Sequence, residues 1–137
     1  MPYEIPAGVC GKEGLVVTRE LTAAHYGSGL VEVFATPAMV ALMEKTCLVS
    51  VLPHLPEGHG TVGTAVHISH ERATPVGMRV WCESKLVEID RRRLVFEVVA
   101  HDETGIIGQG RHERFIVYLR LQNIHTDKNN RRQCAKS

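Results

Sequence analysis

The stretch that most constrains this chain is residues 36–52. Thr36 and Pro37 open it, Pro53 closes it, and nearly every position between is apolar. A threonine followed by a proline marks a helix start. The threonine can cap the first turn, and proline at the first helical position loses no intrahelical hydrogen bond. Pro53 cannot continue the helix. The predicted helix is about 25 Å long at ~1.5 Å per residue. A helix on a protein surface carries a polar stripe, and this one has almost none, so it should be buried on most sides. It is too short, and too interrupted by Glu44 and Lys45, to cross a bilayer.

The rest of the chain supplies a wrapping for it. Strands are expected over residues 15–23, 61–70, 78–89, 94–101 and 106–121, where β-branched residues alternate with polar ones. Residues 25–34 read as a loop, with Gly27 and Gly29 flanking Ser28. Residues 58–60 read as a turn, residues 90–93 as a charged hairpin tip and residues 102–105 as a second turn. Residues 122–137 form a polar, basic tail. The reading is therefore one α+β domain over residues 1–121 plus that tail, with an antiparallel five-stranded sheet curled around one long central helix. A curled sheet keeps two open edges, which predicts a homodimer or a dimer of dimers.

Composition narrows the function classes only slightly. A chain of 137 residues with formal net charge +1 has no bulk charge that selects nucleic acid, and neither a nucleic-acid nor a membrane partner is expected. Cys10, Cys47, Cys82 and Cys134 are scattered with no CxxC spacing, so neither a zinc site nor a redox motif is expected. Cys47 and Cys82 sit in apolar segments and read as small buried hydrophobes. A reducing, cytoplasmic setting follows. The opening residues Met1-Pro2-Tyr3-Glu4 lack a basic region followed by an apolar run, so no signal peptide is expected.

Three residues stand out chemically. Glu44 is a carboxylate halfway along an apolar helix, and its neighbours at three and four residues (Val40, Ala41, Cys47 and Leu48) cannot pair with it. It either takes partners from elsewhere or lies on a narrow wet edge. His70 shares a strand face with Thr64, Val66 and Ile68, which points it toward the helix, with His67 opposite. An inward histidine can be a hydrogen-bonded core residue. Beside a carboxylate in an apolar cleft it can also form an acid–base pair. Thr36 caps the helix, and the helix start is also a natural seat for a carbonyl oxygen. Gly63 is either a plain strand glycine or a place where a ligand approaches the backbone. Leu30 and Phe34 read as pocket-wall residues. His112-Glu113-Arg114 and Arg91-Arg92-Arg93 are charged runs, solvated faces unless Arg114 or the tip arginines meet a phosphate.

Five segments carry a resemblance. They are residues 33–44, holding Phe34-Ala35-Thr36-Pro37 and Glu44; Gly63-Thr64-Ala65-Val66-His67-Ile68-Ser69-His70; Ala73-Thr74-Pro75-Val76-Gly77-Met78; Ala100-His101-Asp102; and Gly108-Gln109-Gly110-Arg111-His112-Glu113-Arg114. In order and spacing, over roughly residues 12–121, they resemble the fluoroacetyl-CoA thioesterase family of the hotdog superfamily. The resemblance implies a hotdog dimer that hydrolyses an acyl-CoA without metal or organic cofactor. It implies a catalytic set of Thr36, Glu44 and His70, with Gly63 near the acyl group and Arg114 in the end motif. The chain departs from the family before the helix: residues 27–32 carry no aromatic, where the fluoroacetyl enzyme has an aromatic lid. Two other readings stay open on the residues alone, a hotdog-fold acyl-CoA hydratase or dehydratase and a non-catalytic acyl-CoA binding module.

Overall fold

A computed structural model describes residues 4–119. The expected tail over residues 122–137, Cys134 and the last residues of the final expected strand lie outside that range. Five strands and one long helix make up the frame: β1 (Cys10–Val16), α1 (Ala23–Tyr26), α2 (Thr36–Val51), β2 (His59–His70), β3 (Arg79–Asp90), β4 (Arg93–Asp102) and β5 (Gly105–Tyr118). The strands form one antiparallel sheet in the order β1-β3-β4-β5-β2. The sheet curls around α2, which gives the expected hotdog architecture. The buried core is the seam between them, with Met39, Met43, Cys47 and Val51 of α2 against Val80, Leu86, Phe96, Ile107 and Ile116 of the sheet.

The first strand lies earlier than residues 15–23. β1 ends at Val16, residues Arg19–Leu21 form a 3-10 turn, and α1 follows, so the first part of the expected loop is helical. Thr22 drives the change: its hydroxyl oxygen accepts from the His25 backbone N–H at 3.2 Å, capping α1. Gly27, at φ 75°, ends it in the left-handed region. The strand itself depends on Gly11. A Cβ there would lie 2.8 Å from both the Thr46 carbonyl oxygen and the Ser50 Cβ of α2, so only glycine lets β1 pass this close to the helix.

The long helix begins as expected but is capped differently. Ala35 holds the N-cap position without a side-chain bond, and Thr36 is the first helical residue. The Thr36 hydroxyl is thereby free for a bond outside the helix. Nor is α2 buried all round. Ala38, Met39, Leu42, Met43, Thr46, Cys47 and Val51 are covered. Pro37, Ala41, Lys45 and Val49 form an exposed stripe at four-residue spacing, and Val49 is 40% exposed. The chain's own sheet covers one side only.

β2 carries a β-bulge. Gly63 pairs with Arg114 and Ala65 with Glu113, leaving Thr64 as the extra residue. Side chains alternate along a strand, so residues an odd number apart face opposite sides unless a bulge intervenes. Gly63 and His70 are seven residues apart, yet both face α2. The bulge turns Thr61 and Gly63 to the helix side along with His70. Thr64, expected on that face, is the bulge residue.

The β4–β5 turn is held by Asp102, which is buried. It accepts from the Thr104 N–H and hydroxyl at 2.7 and 2.6 Å, and from the buried Thr74 hydroxyl at 2.8 Å. Burial alone would raise the Asp102 pKa, but these hydrogen bonds outweigh it and hold the carboxyl below the usual aspartate value. Because the folded-state pKa is depressed, the stabilisation is complete above the unfolded value of about 3.9 and is lost as pH falls through the lower folded value. Asp102→Ala should cost about 2–3 kcal/mol in urea unfolding at pH 7, with the gap from the parent narrowing below about pH 4. A gap that stays constant down to the lowest pH at which both proteins fold would contradict this role.

Candidate active site

The site residues fall into two clusters along α2. The first is at its start. Thr36 Oγ1 lies 2.7 Å from His70 Nδ1, joining the first helical residue to the end of β2. Phe34, 1% exposed, stands edge-on to the His70 ring with centroids 6.4 Å apart. His70 Nε2 is buried and has no hydrogen-bond partner among the described residues. Burial pushes the His70 pKa below the usual imidazole range, and the Arg72 backbone opposes this only in part. A neutral imidazole at neutral pH follows. Thr36, His70 and Phe34 line a cleft of about 580 Å³ together with Ala23, Ser28 and Arg72.

The second cluster lies eight residues further along the helix, ~12 Å at 1.5 Å per residue. Glu44 is half-buried, and its partner is Arg114: Oε2 lies 3.7 Å from Nη1 of a guanidinium side chain only 6% exposed. Arg114 Nε donates to the Thr61 hydroxyl at 2.7 Å, and Nη2 donates to the Thr61 carbonyl at 2.9 Å. Nη1 also meets His112 Nε2 at 3.1 Å. Gly63 closes the cluster. A Cβ there would lie 2.5 Å from Glu44 Oε2 and 3.4 Å from Arg114 Nη1.

Some of the expected site residues lie together and others do not. Thr36 and His70 are in contact, whereas Glu44 is paired with Arg114 rather than with His70. Gly63 adjoins the carboxylate. Leu30 is 99% exposed and does not line the cleft, while Phe34 does. The run at residues 112–114 is not a solvated face: His112 and Arg114 are buried, and only Glu113 turns outward, to Arg93 at 2.8 Å. Sequence reasoning missed His112. The period-two alternation with Arg114 and Ile116 was the available signal. Arg93, at the hairpin tip, is tied to both Glu88 and Glu113. Among the described residues no group of three His, Cys, Asp or Glu side chains is placed to hold a metal ion, and no helix is long and apolar enough to cross a membrane.

A curled sheet around one helix, with polar residues gathered where helix and edge strand meet, is the architecture of the hotdog thioesterases. The fold superposes with TM-score 0.81 on a Thermus thermophilus hypothetical protein described as a thioesterase superfamily member, 31% identical, covering 96% of this chain and 98% of that one. It superposes with TM-score 0.80 on a mutant of the fluoroacetyl-CoA-specific thioesterase in complex with fluoroacetate and CoA, 36% identical, covering 88% and 99%. The fluoroacetyl-CoA thioesterase of Streptantibioticus cattleyicolor is 44% identical over 92 residues. That stretch is 67% of this chain and 66% of the relative, just under two thirds of the relative's length. Residues 17–120 match the family described as fluoroacetyl-CoA-specific thioesterase, and the chain belongs to that family.

Gly63→Ala tests the second cluster. The added methyl should displace the Glu44 carboxylate and lower the rate of thiol release from acetyl-CoA by about 10²-fold. Circular dichroism should show the fold retained. A variant with the parent rate would mean that the Gly63–Glu44 contact is irrelevant to activity.

Proposed function

We propose that this chain hydrolyses a small or medium acyl-CoA thioester to the free acid and CoA, using Thr36, Glu44 and His70. The observation that carries the reading is the 2.7 Å Thr36–His70 contact at the start of α2, on the wall of a cleft, in a chain of this family. The thioester carbonyl would lie at the positive end of α2 beside the Thr36 hydroxyl, which stabilises the oxyanion as it forms. Glu44 would take a proton from water as the hydroxide adds to the carbonyl carbon, or would add to that carbon itself and be released as water cleaves the anhydride. Collapse of the oxyanion breaks the C–S bond, and the neutral His70 acts as a base that takes up the proton released from the attacking water and passes it to the departing thiolate. Gly63 leaves room for the acyl group, and Arg114 faces the Glu44 carboxylate at 3.7 Å and orients it. Phe34 supplies an apolar wall, and Leu30, wholly exposed, would act only if it reached a second copy.

The two clusters stand ~12 Å apart along α2, which is too far for one carbonyl to touch both. A second copy resolves this. β2 is an open edge, with Val62 and Val66 exposed along it. Pairing two β2 edges antiparallel about a two-fold axis reverses the order of the clusters. The Thr36–His70 end of one copy then meets the Glu44–Gly63 end of the other, which supports a homodimer as the active unit, alone or in a dimer of dimers.

Free thiol should be released from acyl-CoAs of short chain, fluoroacetyl-CoA and acetyl-CoA included, and Glu44→Gln should lower turnover by ~10²-fold or more. Saturable binding of every acyl-CoA in a graded panel without thiol release would replace this reading with that of a binding module. The shared site has its own test. Mixing inactive Glu44→Gln and His70→Ala chains should restore a quarter to a half of the parent activity, on the order of one intact site per mixed dimer. No recovery in mixtures shown by mass spectrometry to have exchanged subunits would mean that each chain carries a complete site.

A further inference from the structure

His112 is 1% exposed and bridges two fixed groups. Its Nδ1 lies 2.9 Å from the Ala65 carbonyl oxygen, and its Nε2 lies 3.1 Å from Arg114 Nη1. A carbonyl oxygen can only accept, and a guanidinium can only donate. The ring therefore carries its proton on Nδ1 and offers the Nε2 lone pair to Arg114. Burial pushes the His112 pKa down, which keeps the ring neutral. The charged groups around it are Arg114, Glu44 and Glu113. Its ring also stacks on Phe96, with centroids 6.5 Å apart. Proton, orientation and charge state are all set by neighbours.

Arg114 is gripped from two directions. Thr61 takes Nε and Nη2, and His112 takes Nη1. That same Nη1 is the atom facing Glu44, and it stands off at 3.7 Å. Guanidinium–carboxylate pairs left to themselves close to about 2.7–2.9 Å, frequently in a two-pronged contact. A closed contact would stabilise the carboxylate and weaken it as a base or nucleophile. A guanidinium held back aims the carboxylate while leaving its oxygens available.

We propose that His112 is a positioning residue that restrains Arg114 at a distance from Glu44, so that the oxygens of the carboxylate beside Gly63 stay aimed and available to react. The inference rests on the reading of Glu44 as the acting carboxylate. It differs from simple core packing because it depends on one lone pair at one ring nitrogen.

The test compares His112→Leu, which fills the space without an acceptor, with His112→Gln, whose amide oxygen can accept near the Nε2 position. Purified full-length chains are assayed with acetyl-CoA across pH. His112→Leu should lower kcat about 10-fold or more while KM stays within about threefold. It should also move the acid limb of kcat/KM to lower pH, as a closed ion pair stabilises the carboxylate. His112→Gln should return kcat to within about threefold of the parent and restore the limb. An unchanged kcat in His112→Leu, or equal losses in both variants with the limb unmoved, would overturn the proposal. Glu44→Gln is run alongside. Full activity there would overturn the reading of Glu44 and this inference with it, whereas impaired Glu44→Gln beside unimpaired His112→Leu overturns the inference alone. Should His112→Leu not fold, His112→Gln and the nitrogen NMR shifts of the parent His112 ring decide: a neutral ring protonated on Nδ1 at pH 7 supports the proposal, and an Nε2-protonated or doubly protonated ring overturns it.

Discussion

Everything in this molecule depends on how closely the sheet can approach α2. The apolar side of the helix must be covered, and the sheet that covers it has to come within van der Waals reach at several points. Gly11 provides one such point on β1. Gly108 on β5 provides another: a Cβ there would lie 2.8 Å from the Met39 sulfur. Larger residues at either position would push the strand off the helix and open the seam that holds the core. The same closeness explains why polar groups at the helix–β2 boundary are so tightly coupled. Thr36 reaches across to His70 on β2, and Glu44 to Arg114 on β5.

That coupling shapes the electrostatics. Arg114 is a full positive charge almost out of solvent, which is expensive unless its donors are met. Neutral acceptors from Thr61 and His112 satisfy the geometry, and Glu44 balances the charge from a distance. At the other end of the helix the logic is reversed. His70 is kept uncharged by burial, and its companion Thr36 is neutral. One chain therefore separates a charged cluster and a neutral one along a single helix. A thioester hydrolase needs a charged group to create the nucleophile and neutral, oriented dipoles to receive the oxyanion.

Much of this was legible in the residues, and the exceptions have physical causes. The long helix is bracketed by prolines and apolar throughout, so both its span and its central place could be read. The four later strands followed from alternation and turn residues. The first strand lies earlier than the run of β-branched residues from Leu15, because the glycine at position 11 is what its close contact with the helix demands. Thr36 was read as a cap, but Ala35 holds that position, and the hydroxyl serves His70 instead. Glu44 was rightly an oddity, yet its partner was sought in His70 and found in Arg114, seventy residues further on. No local pattern encodes that meeting, because it depends on β5 lying beside β2. His112 was hidden for a different reason. A run of charged residues averages to a solvated face, and only residue-by-residue alternation separates the buried pair from Glu113.

The bulge at Thr64 has a wider consequence. A strand keeps a strict two-step phase, so every side chain on it is bound to every other by parity. One extra residue acts as a phase shifter. It lets the two halves of β2 be chosen independently, the half before it to serve the buried arginine and the half after it to serve the helix start. Were the strand to run through Thr64 without the bulge, residues 65–70 would keep their partners, Thr64 would take the place of Gly63 opposite Arg114, and Gly63 would turn outward and Val62 inward. Both polar clusters on this edge are thus joined by a single count along the backbone, and the count matters more than the identity of the residue that supplies it.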